Sequence, residues 1–467
     1  MTLPAKKIVI IGGGPSGCSA AAFALRNGFS DVTILEASPT LGGMHTDIAI
    51  NGLHFDLGAF FFWNNHTILN LFPNLKDVLV YAESAKHLSL TNQYNLDRYP
   101  LTLGSFLKEN GVISTVTDIC RMLLYRIFRS ADQCANVDEL LTYYMGPFYI
   151  KTGLKNYIRR LYNMDPKNID VEFGNRRVGG VISKFRFKNM LQAIFSKNWN
   201  HFKKFEIIPD TWARPESGFA KMYEIIEAHL IAADCKILRG QRVVKIDTHS
   251  KIIETSTGLN LTYDYLLTSQ ELGQVSKFTN VPFDCLLKYK SLCSLFYEIP
   301  ASAIEDCFVL FNFSPVGRWK RATFHSNYYN RVKDPRDSSR HYFVVESMPD
   351  DNVQDDGDLA LQLDRDFKKT MLNTRWGESF AEAVLLGHRI TKNAYPIFDA
   401  DFDREKILAF VARMQEQDIY LIGRQGTFEH VSSSDAAGQA IRAIETIAAK
   451  EKQEAFQALA RFDLGIA

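Results

Sequence analysis

The sequence has no pair of cysteines at CxxC spacing. Its seven cysteines, Cys18, Cys120, Cys134, Cys235, Cys285, Cys293 and Cys307, are odd in number and widely spaced. That argues against a disulfide scaffold and for reduced thiols, and so for a cytoplasmic setting. No apolar run approaches the roughly 20 residues that a membrane-spanning helix needs. Lys6 and Lys7 ahead of Ile8–Ile11 look like a signal peptide only superficially. The run is short and flows into Gly12-Gly13-Gly14-Pro15 without a cleavage site. Excess charge of one sign is lacking too: 54 Lys and Arg stand against 53 Asp and Glu, a net charge of +1. No polyelectrolyte partner follows from that balance, and nucleic acid is not expected. There is no internal repeat, no low-complexity tract, no spacing of metal ligands and no locally supported Ser/His/Asp arrangement.

What is present is ample. A chain of 467 residues, 46% of them apolar, has material for a large core in two or three domains. Ile8-Val9-Ile10-Ile11 is a continuous β-branched run, as in a parallel strand buried on both faces. Ser19 to Arg26 is Ala-rich and helical in pattern, and Val32-Thr33-Ile34-Leu35 is the next strand. From about Asn65 to Phe205 helical patterns dominate, with frequent aromatic and basic residues. Further strands are expected at Val243–Ile246, Lys251–Thr255, Tyr263–Thr268, Ser294–Ile299, Cys307–Phe313, Arg321–Asn327, Arg340–Glu346 and Ile419–Ile422. Asp350 to Asp358 reads as a loop, and Asp435 to Lys450 as a helix.

Gly12-Gly13-Gly14-Pro15-Ser16-Gly17 fits GxGxxG. Gly12 permits the tight turn out of the strand, Gly14 lets backbone approach a pyrophosphate, and Gly17 lets helix and strand pack closely. The helix that follows offers free N–H groups and a partial positive charge to phosphates. Glu36 lies 19 residues after Gly17, at a strand end. It can accept hydrogen bonds from both ribose hydroxyls of an adenosine.

A second glycine cluster, Leu41-Gly42-Gly43-Met44, precedes Gly52 and then Phe55-Asp56-Leu57-Gly58-Ala59. In this order the motifs resemble the FAD-dependent amine oxidase, protoporphyrinogen oxidase and UDP-galactopyranose mutase superfamily. Pro215-Glu216-Ser217-Gly218-Phe219 resembles that group's "P-x-G-G" segment, and Tyr263-Asp264-Tyr265 its "ADYVI" strand. Tyr395-Pro396-Ile397 and Gly423-Arg424-Gln425-Gly426 resemble its closing flavin motif. The resemblance implies an α/β fold, in which a Rossmann-type FAD-binding domain is interleaved with a mixed helical and β-sheet substrate domain. It assigns 1–65, 207–290 and 386–450 to the first, 66–206 and 291–385 to the second, and 451–467 to a helical tail. One non-covalent FAD is implied. Gly12, Gly14, Pro15, Ser16, Gly17, Glu36, Ala37, Gly43, Met44, Gly58, Ala59, Phe60, Val243, Gly423, Arg424 and Ser434 would hold it. Met44 stands where the family often has Arg. The helix after Ser434 would aim its N-terminus at the flavin pyrimidine edge, favouring reduced flavin.

Gly58 to Asn65 resembles the mutase segment "GPHIFHTNN", and Gly423 to His430 resembles "GRLATYxY". Yet Ala59 and Phe60 stand near the place of the flavin-proximal histidine. The two tyrosines of the closing motif are Phe428 and His430, and Ser432 replaces the aspartate after them. The scaffold is mutase-like and the site rewritten. Arg321 resembles the second-domain arginine that contacts diphosphate in the mutases. His430 would lie near the flavin, as an acid–base group or as a packed histidine. Arg321 and His430 are thus the catalytic candidates, with Arg176, Arg177 and Tyr395 as substrate-binding ones. The basic, aromatic stretch from Arg176 to Phe205 has three readings: a site for an anionic substrate, a membrane-surface helix, or a solvated helix face.

Three functions are therefore in view. The leading one is an FAD-dependent oxidoreductase taking a hydride from a small organic substrate such as an amine, a CH–CH unit or a sugar-derived alcohol. The second is a non-redox, mutase-like isomerase of a nucleotide sugar. The third is a binding module of the Rab GDP-dissociation-inhibitor type, against which the intact glycines and Glu36 speak. The partner is a small molecule, anionic or a nucleotide sugar among the options, and the sequence sets no oligomeric state.

Overall fold

The run Ile8–Ile11 has no polar residue to turn toward water, and it lies buried at the centre of a parallel sheet. The computed structural model describes residues 6–82, 87–99, 107, 110–186, 211–300, 307–329, 340–350 and 357–463. Strand β1 (Lys7–Ile11) leads through the glycine loop into helix α1 (Pro15–Arg26), which returns to strand β2 (Asp31–Leu35). The five strands run in the order Lys236–Leu238, β2, β1, Tyr265–Thr268, Ile419–Leu421, all parallel. One face is covered by α1 and by the long helix Ser433–Asp463. Ala20, Ala21 and Ala24 of α1 share a core cluster with Ala437, Ala440 and Ile444 of the long helix, where small side chains let the two backbones approach. The expected tail at 451–467 is not a separate element up to Asp463, because that helix runs through it. Glu451 is buried there and accepts the hydroxyl of Tyr265.

A second sheet has seven strands, ordered Val384–Pro396, Tyr289–Pro300, Arg340–Ser347, Trp319–Phe324, Val309–Asn312, His87–Leu90, Leu96–Tyr99. The last two correct the helical reading of 65–205: they pair into this sheet from within that stretch. The strand expected at Arg321–Asn327 ends at Phe324, and a short helix, Ser326–Tyr329, follows. Val384–Pro396 straddles the segment boundary expected at 385/386. Helices Val112–Phe128, Val137–Met145, Pro147–Lys151, Leu154–Tyr162, Val171–Arg177 and Gly179–Lys184 form a layer of their own. Residues 351–356 of the expected loop, and most of the basic aromatic stretch, 187–205, lie outside the described residues.

Strands β3 (Asp47–Ile50) and β4 (Leu53–Asp56) form a hairpin. Its turn is Asn51-Gly52, with φ of 52° and 78°, the two positive values that suit a twisted two-residue hairpin. Asp56, at the end of β4, is buried with Arg214 as an ion pair at 0% and 1% side-chain exposure. Arg214 also donates to the carbonyls of His54 and, at 2.7 Å, Pro215. Burial alone would raise the Asp56 carboxyl, but Arg214 and His325 hold it below the usual carboxylate range.

A buried pair is strongly destabilised by losing one partner, because the other charge stays behind desolvated. Arg214→Met is therefore expected to cost about 3–5 kcal/mol. The double variant Asp56→Leu/Arg214→Met should recover much of that loss. Urea unfolding of the three proteins checks it, and a single-variant cost under about 1 kcal/mol would contradict the ion-pair assignment.

Candidate functional site

At the C-terminal end of β1 the chain turns at Gly12, whose φ is 102° and whose amide donates to the Leu35 carbonyl at 2.8 Å. A Cβ there would collide with the Ser269 hydroxyl, and one at Gly17 with the Gly12 carbonyl. Both positions are closed to side chains, as the motif requires. Gly14 stands as N-cap of α1 with no side-chain cap, and Pro15 opens the helix. That leaves first-turn N–H groups without intrahelical acceptors. The second glycine pair comes down beside this loop. The Gly42 amide donates to the Gly13 carbonyl at 3.0 Å, and a Cβ on Gly43 would lie 3.1 Å from the Gly14 Cα.

Glu36 follows β2 and is buried. Its carboxylate accepts from the Gly13 amide and the Ser38 amide, each at 2.7 Å. Gln241, just before Val243, donates its amide to the Glu36 carbonyl at 2.9 Å. Ala37 turns the chain away beyond it, half-buried, and Met44 is exposed. On the other side Gly423 (φ 73°) closes on α1, where a Cβ would meet the Ser16 hydroxyl at 2.5 Å. Ser434 accepts the Thr67 amide at 3.0 Å. Ser432 and Asp435 cap the long helix reciprocally: each amide donates to the other side chain at 3.2 Å. His45, which the sequence reading did not single out, is boxed by Phe60, Phe62, Phe219 and Tyr223. Burial pushes its imidazole down to about 3.

The loop after β4 meets the seven-stranded sheet at Glu346, which is fully buried. The Ala59 amide donates to Glu346 Oε1 at 3.2 Å, and a Cβ on Gly58 would lie 2.9 Å from the same carboxylate. Arg321 grips Glu346 through both Nε and Nη2, and Lys320 Nζ lies 3.1 Å from Oε2. Two successive residues reach one carboxylate because the strand is irregular there. Trp319 pairs with Ser347 and Arg321 with Glu346, so Lys320 is the extra residue of a bulge. Burial would raise Glu346, but Arg321 and Lys320 hold it below its usual range.

Lys320 Nζ also donates to the Tyr395 hydroxyl at 3.1 Å. Burial would raise this phenol, yet Lys320, with Arg321 and Arg424, holds it below its ordinary value of 10.0. Arg424 lies over the Tyr395 ring at 5.0 Å and donates to the carbonyls of Val431 and Ala394. His430 stacks on Tyr395 with centroids 5.2 Å apart and touches the Tyr162 hydroxyl at 3.4 Å. Arg321, Tyr395 and His430, far apart in sequence, thus come together. Phe428 does not join them; it is buried against Tyr289, Phe398 and Phe402. The Arg176 and Arg177 side chains lie outside the described residues. Lys320 and Glu346 were missed. The signal for the latter was an acid directly after the apolar run Tyr342–Val345.

The chain is similar to several known proteins. Residues 10–81 match the NAD(P)-binding Rossmann-like domain family. The chain is 24% identical over 295 residues to 4,4'-diaponeurosporene oxygenase of Staphylococcus haemolyticus. That match spans 57% of this chain and 55% of the relative, little more than half of its length. The whole chain has the fold of a reduced UDP-galactopyranose mutase, with TM-score 0.72 and 18% identity over 95% of this chain and 93% of that one. A proposed protoporphyrinogen oxidase from Exiguobacterium sp. 255-15 gives TM-score 0.67 and 16% identity over 96% and 100%. The chain therefore has the α/β fold that these solved structures share.

Among buried tyrosines, desolvation raises Tyr149, Tyr223, Tyr297, Tyr328 and Tyr329, whereas Tyr395 moves the other way. A depressed phenol adds stability above pH 10, its unfolded value, and that contribution fades as pH falls through the folded value. An ultraviolet titration at alkaline pH is expected to show a tyrosinate forming below 10 that is absent from Tyr395→Phe. Its persistence in the variant would exclude Tyr395 as the source.

Proposed function

We propose that this chain binds one FAD non-covalently and is a flavin-dependent oxidoreductase that takes a hydride from a small organic substrate. The reading starts from the superfamily fold. The observation that carries it is the convergence of two glycine loops on the N-terminus of α1, beside Glu36. Backbone approach at Gly14 and Gly43 leaves room for a pyrophosphate, and the first-turn amides of α1 face it. Glu36 has lone pairs beyond the two used on amides, and these would receive the ribose hydroxyls. Gly58, Ala59 and the start of the long helix at Ser433–Ser434 would border the flavin. FAD supplies the hydride acceptor.

The chain's own residues do the rest. Lys320 and Arg424 make the Tyr395 phenol a stronger acid than a free one. Its oxygen can give up or take back a proton nearer neutrality, with His430 stacked alongside. Arg321 spends two donors on Glu346 and so holds the loop Gly58–Ala59 in place. Tyr162 and Phe173 pack against each other and against His430.

A second reading, a mutase-like isomerase of a nucleotide sugar, draws on the three cations around Tyr395. Weighing against it are Phe428 and His430 in place of tyrosines. A GDI-like binding module would need no flavin at all.

The purified protein is expected to be yellow and to release FAD on acid denaturation. Glu36→Ala should lower flavin occupancy at least tenfold at equal protein, roughly the loss of one strong charge-assisted hydrogen bond. A fully loaded variant would sink the ribose assignment. Titrating UDP into the yellow protein separates the two catalytic readings. A saturable change in the flavin spectrum favours the nucleotide-sugar enzyme, and none at full occupancy favours the oxidoreductase.

A further inference from the structure

Helix Val112–Phe128 is amphipathic in the wrong direction for a helix that covers a core. Its inward side carries Thr115, Asp118 and Met122, all buried, together with Arg126. The polar groups are satisfied within the protein. Asp118 pairs with Lys151, and Arg126 donates to the backbone carbonyls of Tyr143, Tyr144 and Phe185. The outward side presents Ile113, Val116, Cys120, Leu124 and Ile127, spaced by three or four residues and therefore on one face. Ile113 is 85% exposed, Ile127 72% and the neighbouring Phe128 81%. An unbroken apolar stripe of this kind is an interaction surface rather than scattered surface residues.

The charges beside the stripe decide between occupants. From Val112 to Ser130 the exposed charged residues are Arg121 and Arg129, both cationic. Among the described residues that flank the helix in sequence, the first exposed acid is Asp132, in the turn beyond. Cations flanking an exposed apolar stripe match an anionic lipid surface, in which the stripe enters the acyl boundary and the arginines meet headgroups. A second copy of the chain fits worse. Arg121 is next to the helix midpoint, so a twofold contact through this face would set it against the partner's Arg121.

We propose that the exposed face of Val112–Phe128 docks this protein on the surface of anionic membranes, without crossing them. Among the described residues no helix is long and apolar enough to span a bilayer. The same group of helices holds Leu154–Tyr162, whose Tyr162 touches His430. The surface does not depend on the reaction assigned above.

The test is co-sedimentation of the full-length protein with vesicles of phosphatidylcholine alone or with phosphatidylglycerol. A second readout is a polarity-sensitive fluorophore on Cys120 in a Cys134→Ser/Cys285→Ser background; Cys18, Cys235, Cys293 and Cys307 are buried. The expected result is binding to the anionic vesicles, a blue shift at Cys120, and at least a tenfold loss of binding in Ile113→Glu/Ile127→Glu. These positions are exposed, so the variant should keep the wild-type melting temperature, which separates lost docking from lost fold. Three results would each overturn the proposal: wild-type protein staying in the supernatant with both vesicles, binding unchanged in the variant, or a concentration-dependent dimer that the variant abolishes.

Discussion

The candidate site depends on where one buried negative charge comes to rest. Glu346 is desolvated on every side, and such a carboxylate is tolerable only with close cationic partners and satisfied lone pairs. Arg321 and Lys320 supply the charge, and the Ala59 amide supplies a further donor. The cations and the amide belong to different parts of the chain, so meeting the electrostatic demand also sets the distance between the loop after β4 and the seven-stranded sheet. The bulge at Lys320 follows from the same demand. A regular strand would have turned Lys320 to the opposite face and left Glu346 with one cation. Because Lys320 is placed there, it also reaches Tyr395, and the phenol's acidity is a by-product of how the carboxylate is neutralised.

The nucleotide half is organised by a different constraint, the absence of side chains. A methyl group on Gly43 would press on the Gly14 Cα at 3.1 Å, and one on Gly12 or Gly423 would collide with the Ser269 or Ser16 hydroxyl. This half needs close approach and little electrostatic balance, whereas the other half needs balance and tolerates irregular backbone. The loop Gly58–Ala59 meets the second half at Glu346, through both the close approach of Gly58 and the Ala59 amide.

That division explains what could be read in the sequence. The glycine loops, Glu36 and β1 were legible because their signals are local: a turn, a helix start and a strand end within a few dozen residues. Tyr395, His430 and Arg321 were legible as members of a site through family resemblance, but their mutual contact was not, since it needs the strand pairing Arg321 with Glu346. Glu346 itself meets Ala59 across 287 residues of chain, and nothing in its neighbourhood announces that partner. The strands His87–Leu90 and Leu96–Tyr99 were hidden for a related reason. They are short and take their stability from the parallel neighbour Val309–Asn312, not from a periodic pattern of their own. Periodicity also shows that Val112–Phe128 has an apolar stripe without showing which way it faces.

The parallel sheet is assembled from strands that begin at Lys7 and end at Leu421. On a ribosome adding about 5–20 residues per second, its first and last strands emerge roughly 20–80 s apart. Tyr265–Thr268 emerges about 150 residues ahead of Ile419–Leu421, so for roughly 8–30 s of synthesis it has an unpaired edge, and the loop at Gly423 that closes over α1 does not yet exist. An exposed parallel edge of this kind is where nascent chains aggregate. The late arrival of Ile419–Leu421 therefore leaves the edge of the half-built sheet open until the C-terminal part of the chain has been made.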